Sequence, residues 1–224
     1  MSRPIVVYGA GGHGREIAAL IRDLRRAGES WELQGFLSDD PTSWGNEVAG
    51  APVLGDGQWA AHRHGLAVAL GVGDPAARYR VVANLAEYDL DFPPLVHPTA
   101  TIMERSSIGR GGIAAAGVVV TVDVEVGEFA VLNVQASLSH DCRAGPYATL
   151  GPRAALPGGV IVGTGCDIGA GTSSVPRVVV GDWAIVGAGA VITRDLPADC
   201  TAVGVPARVS SRRKAGWHLV APAR

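Results

Sequence analysis

One long stretch, from Val96 to Ile192, has a hydrophobic residue at almost every sixth position. These positions are Val96, Ile102, Ile108, Ala114, Val120, Val126, Leu132, Leu138, Ala144, Leu150, Leu156, Val162, Ile168, Ser174, Val180, Val186 and Ile192, and only Ser174 is polar. A period of six fits neither the period of about 3.6 of a helix nor the alternation of a flat strand. It predicts a parallel β-helix, in which each coil has three short faces of about six residues.

The other repeat positions have expected tasks in such a coil. A small or slim residue comes four positions after each aliphatic one and shares the interior near the corner, as Val118 and Cys142 do. Glycine often follows the aliphatic residue directly, as at Gly109 and Gly127, and we expect it there for a turn with positive φ. Because no single coil can bury its inner face, stability has to build up by stacking.

The first 93 residues follow a different pattern, in which buried strands alternate with helices. Strands are predicted at 4–8, 33–37, 53–56 and 67–73, and helices at 15–24, 57–64 and 75–88. This alternation predicts a small parallel sheet in an α/β, Rossmann-like subdomain. Phe92-Pro93-Pro94 marks its end, so we expect an α/β domain at 1–93, the β-helix at 94–208 and a tail at 209–224.

A glycine-rich loop joins the first strand to the first helix. Gly9, Gly11 and Gly14 match G-x-G-x-x-G in the context that the dinucleotide fingerprint requires, and Asp39 follows the second strand where an acidic ribose contact is expected. Backbone N–H groups at a helix N-terminus favour phosphate. The sequence leaves three interpretations: a nucleotide-linked sugar, NAD(P), or a structural turn. Half of a doubly wound fold suits one nucleotide better than a dinucleotide. His13, inside this loop, either contacts substrate or caps the helix.

Composition narrows the classes of function. Charged residues make up 18% of the chain and the net charge is −2, so nothing indicates a nucleic-acid surface. The first apolar run is too short for a signal peptide or a membrane span. Cys142 and Cys166 fall on interior positions, which favours packed thiols over a nucleophile or a metal ligand, and no zinc-like spacing is present. We therefore expect no metal, and a reducing, cytoplasmic setting.

The densest polar cluster of the array runs from Asn133 to Asp141. His140 follows the inward Leu138 by two positions, so its side chain should lie at a corner of the prism. A neutral imidazole there can take a proton from a hydroxyl or an amine, and the Asp141 carboxylate would stabilise the imidazolium. A solvated surface pair is the alternative. Ser137 and Ser139 are weaker candidates for a covalent role.

The end of the chain carries a basic run and an aromatic residue. The run Arg212-Arg213-Lys214 could meet cofactor phosphates, although a solvated basic tail is the commoner meaning of such a run. Trp217, in so polar a segment, is expected to dock against something, for example a neighbouring subunit.

Several motifs, in this order, resemble one known family. They are Gly9-Ala10-Gly11-Gly12-His13-Gly14, Phe36-Leu37-Ser38-Asp39, Gly71-Val72-Gly73-Asp74 with Arg78, Val96-His97-Pro98-Thr99-Ala100, Leu132-Asn133 with Ser139-His140-Asp141-Cys142, and Val203-Gly204-Val205-Pro206-Ala207. From about Ile5 to Arg208 the chain is similar to the bacterial sugar acetyltransferases that include UDP-4-amino-sugar N-acetyltransferases and sialic acid O-acetyltransferases.

The resemblance implies a left-handed β-helix, acetyl-CoA as co-substrate and a homotrimer with active sites between adjacent β-helices. It implies that His140 is the general base, assisted by Asp141, with Asn133 close to the reacting centre. The implied sugar-nucleotide contacts are Gly11, Gly12, His13, Ser38, Asp39 and Gly71, and the implied acetyl-CoA contacts are Thr149, Ala170 and Ala188. Asp141 stands where some relatives have Glu, and Arg143-Ala144-Gly145-Pro146 is an unusual continuation beside His140.

We therefore predict an N-acetyltransferase acting on the amino group of a nucleotide-linked amino sugar, for surface glycan biosynthesis. The nearest alternative is O-acetylation of a sialic acid or another sugar hydroxyl. A β-helix scaffold that binds a nucleotide without catalysis and an NAD(P) oxidoreductase are alternatives from other classes.

Overall fold

The computed structural model describes residues 2–220, and its first part is a six-stranded sheet with helices. The strands are β1 (Arg3–Tyr8), β2 (Trp31–Leu37), β3 (Glu47–Val48), β4 (Ala51–Gly55), β5 (Leu66–Leu70) and β6 (Leu90–Asp91), in the order β3-β4-β2-β1-β5-β6. Only the β3–β4 pair is antiparallel. The helices are α1 (Gly12–Arg26), α2 (Gly57–Ala61) and α3 (Pro75–Leu85), with 3-10 turns at Pro41–Ser43 and Trp217–Leu219.

The sequence pattern explains this sheet. Ile5, Val6 and Val7 of the central β1 are fully buried, because packed side chains cover both sides of the sheet. The predicted alternation of strands and helices is confirmed, although α2 ends at Ala61, earlier than predicted.

The second part is the predicted left-handed parallel β-helix, with strands of two residues on three faces. The first face holds Leu95–Val96, Ile113–Ala114, Val131–Leu132, Thr149–Leu150, Asp167–Ile168 and Ile185–Val186, and ends with Cys200–Val203 and its antiparallel partner Arg208–Arg212. The second face holds Thr101–Ile102, Val119–Val120, Ser137–Leu138, Ala155–Leu156, Ser173–Ser174 and Val191–Ile192. The third face holds Ser107–Ile108, Glu125–Val126, Arg143–Ala144, Ile161–Val162 and Val179–Val180. Parallel pairs join residues 18 apart, such as Ser137 and Ala155.

The interior of the β-helix is built as the period predicts. The row of every sixth residue and the small residues four positions later pack into one continuous core. Cys142 and Cys166 are fully buried in it as free thiols, which confirms that they are packed core residues, and Cys200 is buried in the same core. Burial raises the pKa of all three thiols, that of Cys166 to about 12.

The expectation for the glycines that follow the aliphatic residues is wrong. Gly109 and Gly127 do not have positive φ; the left-handed positions fall two residues further on, at Gly111 and Phe129 for example. The repeat needs glycine because a Cβ on Gly127 would lie 2.6 Å from the backbone nitrogen of Pro146 in the next coil. The requirement is therefore close approach between stacked coils rather than backbone conformation.

The sheet domain covers the first face of the β-helix. Outward side chains of that face, among them Leu95, Ile113 and Val131, are buried against Ile17 and Leu20 of α1. This arrangement places the N-terminal end of α1 beside the β-helix and leaves the second and third faces outside the domain contact.

Arg78 of α3 connects the two domains at this junction by hydrogen bonds. It is fully buried, and its guanidinium donates to carbonyl oxygens of both domains: Val72 (2.8 Å) and Gly73 (2.9 Å) on one side, Phe129 (2.8 Å) and Tyr147 (2.8 Å) on the other. A fifth bond, also of 2.8 Å, reaches the hydroxyl of Thr149. Burial lowers the pKa of Arg78 to about 10, so the group remains cationic at neutral pH.

The C-terminal segment folds back on its own chain. Arg213 donates to the Thr201 hydroxyl at 2.8 Å and lies over the ring of Trp217. Trp217 meets Trp183 edge-on, and His218 stacks on Trp183 at 3.7 Å. The predicted docking of Trp217 is therefore confirmed, within the same chain.

Candidate active site

The carboxyl ends of β1, β2 and β5 meet at one edge of the sheet. A Cβ on Gly71 would lie 2.6 Å from the Cα of Gly14 and 2.8 Å from the oxygen of Gly9, so this close approach requires glycine. Gly11 caps α1 without a side-chain hydrogen bond, which leaves first-turn N–H groups available to an anion. The predicted contacts that gather at this edge, called the cradle below, are Gly11, Gly12, Ser38, Asp39 and Gly71.

A tyrosine that the sequence analysis did not single out holds the acidic residue of the cradle. The Tyr8 hydroxyl donates a hydrogen bond to Oδ1 of Asp39. Burial, followed by this bond, raises the pKa of Tyr8, so the phenol stays protonated and remains a donor. Asp39 itself is exposed.

His13 lies in the first turn of α1, and its Nδ1 is 3.1 Å from Oε2 of Glu16. The interpretation of His13 as a helix cap is wrong, because α1 has no side-chain cap. Its Nε2 is buried and has no hydrogen-bond partner within residues 2–220. Burial lowers the pKa of His13 against the opposing effect of Glu16, so the imidazole is held neutral.

A cavity of about 200 Å³ lies where α1 meets the β-helix. Its walls are mainly apolar, and its polar groups include His13, Asn133 and His97. The Nδ1 of His97 accepts from the N–H of Thr99 (3.1 Å), so Nε2 carries the proton and donates to Asp23 (3.3 Å). The structure thus brings two predicted residues, His13 and Asn133, to one cavity between the domains.

A longer groove follows the corner between the first and second faces. It has a volume of about 840 Å³ and is lined by residues that recur every coil, including Gly117, Gln135 and Arg153. Ala170 lines this groove, and Ala188 is exposed one coil further along. Thr149, the third implied acetyl-CoA contact, is buried in the domain junction, where its hydroxyl accepts from Arg78.

His140 and Asp141 occupy another corner, between the second and third faces. Nδ1 of His140 lies 2.7 Å from Oδ2 of Asp141, and both side chains are about two-thirds exposed. Asp141 has φ of 62°, a left-handed conformation that Asp tolerates better than most residues. In the neutral imidazole, Nδ1–H can donate to this carboxylate while Nε2 carries the lone pair, and no residue in the described range hydrogen-bonds to Nε2.

The predicted catalytic residues therefore do not all meet within one chain. Asn133 follows a strand of the first face, whereas His140 follows a strand of the second, so they lie at successive corners of one coil.

Within residues 2–220, no group of His, Cys, Asp and Glu side chains could hold a metal ion. None of the helices in the same range has the length and apolarity to span a bilayer.

Residues 4–85 match the family model of the PglD N-terminal domain. The chain is 32% identical to PerB from Caulobacter crescentus, solved with CoA and GDP-perosamine, with a TM-score of 0.83 over 93% of this chain and 97% of that one. It is 30% identical to the acetyltransferase domain of PglB from Neisseria gonorrhoeae, solved with acetyl coenzyme A, with a TM-score of 0.85 over 93% of this chain and all of that one (100%). WeeI from Acinetobacter baumannii is 27% identical, with a TM-score of 0.83 and coverage of 93% and 100%. A comparison with curated proteins gave no match.

Proposed function

This chain belongs to the PglD-like family of bacterial sugar acetyltransferases and is an acetyl-CoA-dependent acetyltransferase, and we propose that it acetylates the amino group of a nucleotide-linked amino sugar. Support for the acceptor comes from PerB, a relative of nearly equal length that was solved with GDP-perosamine and CoA. We propose that the acetylated sugar is used in surface glycan biosynthesis. We place the enzyme in the cytoplasm, a reducing compartment that suits its three free thiols.

The geometry of His140 is the observation that carries the chemistry. Its Nδ1–H is directed to Asp141, so the lone pair of Nε2 is available as a base. The neutral amine of the sugar attacks the thioester carbonyl and loses a proton to Nε2. The tetrahedral intermediate then collapses with cleavage of the C–S bond, and the proton passes to the departing CoA thiolate. Asp141 keeps the ring in this tautomer and stabilises the imidazolium.

The cradle supplies the nucleotide site of the proposal. First-turn N–H groups of α1 suit the phosphates, and Asp39 suits a hydroxyl or N–H donor of the nucleoside. His13, with its buried and unpartnered Nε2, lies beside the cradle and opens into the cavity with Asn133. In this proposal the sugar extends from the cradle past His13 toward the β-helix.

A homotrimer completes the site in this proposal. The second face carries only uncharged outward residues along its length: Thr101, Val119, Ser137, Ala155, Ser173 and Val191. The first face is covered by the sheet domain, and the third carries Glu125 and Arg143. If second faces pack together, the corner with His140 of one copy can meet the corner groove of the next. Ala170 and Ala188 would then contribute backbone groups to acetyl-CoA, while Thr149 shapes the wall from inside the junction.

The test is release of the CoA thiol from acetyl-CoA, measured with nucleotide-linked amino sugars that are each paired with the hydroxyl analogue. We expect turnover with the amino sugars only. Turnover confined to the hydroxyl sugars would replace N-acetylation by O-acetylation, since the same base serves either nucleophile. A folded protein that releases no CoA thiol with either kind of sugar would contradict the proposal and favour a nucleotide-binding scaffold.

A further inference from the structure

The imidazole of His140 lies directly against the backbone of the next coil. Gly158 is 18 residues after His140, the spacing that pairs Ser137 with Ala155. A Cβ added to Gly158 would lie 2.3 Å from Cε1, 2.4 Å from Nε2 and 2.9 Å from Nδ1 of His140. Carbon atoms in ordinary contact are about 3.5–4.0 Å apart, so any side chain at this position moves the ring by about 1 Å.

Positive φ does not explain glycine at this position. Gly158 does not have positive φ, whereas its neighbour Gly159 does, at 73°. Glycines of the stacked rows, such as Gly127, are closest to backbone atoms of the next coil. At Gly158 the three nearest atoms all belong to the imidazole.

The backbone under the ring is fixed on several sides. The N–H of Gly159 donates to the His140 carbonyl at 2.9 Å, and the N–H of Arg177 donates to the Gly158 carbonyl at 3.1 Å. The buried thiol of Cys142 donates to the carbonyl of Pro157 at 3.1 Å. When a side chain is added, the exposed ring therefore moves more easily than the backbone does.

We propose that Gly158 is a positioning residue that acts through the catalytic base. Asp141 fixes one edge of the imidazole by a hydrogen bond, and Gly158 provides the flat surface on which the ring lies. Together they fix the plane of the ring and the direction of Nε2. This inference rests on the proposed role of His140.

The first test is the Gly158→Ala variant. Its thermal midpoint should remain that of the parent, because alanine fits this φ and the ring can swing toward solvent. We expect kcat to fall about 10- to 100-fold, as a displacement of about 1 Å can cause, with KM unchanged for both substrates. The ring resonances of His140, assigned by comparison with His140→Ala, should shift in the absence of substrate.

A double-mutant cycle separates positioning from other roles. In the His140→Ala background, Gly158→Ala should cause no further loss of kcat, because the ring that it displaces is already absent. Full kcat in Gly158→Ala beside a severe loss in His140→Ala would overturn the inference and leave the proposed function standing. A further loss in the double variant, or a lower thermal midpoint that accounts for the lower rate, would also overturn it. Near-full turnover by His140→Ala would instead contradict the general-base role of His140, on which both the proposed mechanism and this inference depend.

Discussion

Two histidines of this chain each have a carboxylate at Nδ1, but one lies in the domain junction and the other on an open corner of the β-helix. His13 is bonded to Glu16 and mostly buried, with 16% of its side chain exposed, and burial lowers its pKa and favours the neutral imidazole. His140 is bonded to Asp141 and about two-thirds exposed. The junction is complete within one chain, whereas the corner has its ligand-facing side open. Under the proposed function, the recognition site therefore forms when one chain folds, whereas the catalytic site is completed only when a second copy binds.

Removing the imidazole on the open corner should have the largest effect. His140→Ala is expected to lower kcat by about 10²–10⁴-fold, the usual contribution of a general base, with little change in thermal stability because the side chain is exposed. The measurement is kcat from steady-state kinetics at saturating concentrations of both substrates, and circular dichroism checks that the variant is folded. Near-full turnover would contradict the assignment.

Removing the buried cation of the junction should mainly affect stability. Arg78→Met removes the Arg78 donor from four carbonyl oxygens and one hydroxyl, and of these carbonyls Gly73 keeps a 3.4 Å bond from Thr149. Each buried acceptor left unpaired costs about 1–3 kcal/mol, so we expect a loss of about 3–5 kcal/mol in the free energy of unfolding. Arg80→Met, on the same helix, is the matched control, because within residues 2–220 the Arg80 side chain makes one hydrogen bond, to the His218 carbonyl. Equal losses in the two variants, measured by urea denaturation, would mean that the hydrogen bonds of Arg78 do not specifically stabilise the domain junction.

Removing the junction histidine should affect binding rather than chemistry. His13→Ala is expected to raise KM for the sugar nucleotide about 10-fold, the value of one good hydrogen bond, with kcat and KM for acetyl-CoA nearly unchanged. Glu16→Gln is the control, because it keeps the length of the partner at Nδ1 and should have a smaller effect. Unchanged kinetics in His13→Ala would make His13 structural.

The smallest effect concerns pH. Because burial lowers the pKa of His13, the unfolded chain binds more protons than the folded one once the pH falls below about 6.5. The contribution of His13 to stability is therefore complete above that pH and declines as the pH falls toward its folded pKa. Thermal midpoints between pH 7.5 and 5.5 should fall more steeply in the parent than in His13→Gln. Parallel curves would show that His13 titrates normally.

The period of six predicted the β-helix because each inward position depends only on its place in the repeat. It also placed His140 correctly at a corner, two residues after an inward leucine. The reason for the glycines was missed, because the distance between stacked coils is a property of the assembled structure. Gly158 could have been found, since one coil is three repeats of six and Gly158 follows His140 by that spacing.

Other partners could be predicted only in part. Glu16 is three residues after His13 on one helix, a spacing at which side chains meet, so that pair was accessible from the sequence. The bond from Tyr8 to Asp39 depends on β1 and β2 being neighbours in the sheet. The contact of Arg78 with Thr149 joins residues 71 apart and depends on how the two domains dock, which no local pattern encodes.

Labelling of the three buried thiols can report when and where the β-helix opens. Cys142, Cys166 and Cys200 lie at successive heights along the axis, and burial suppresses the thiolate form of each. A thiol reagent that detects released CoA should therefore ignore the folded enzyme. Over longer times, the order in which the three sites become labelled would record whether the stack frays from its C-terminal end or opens as one unit.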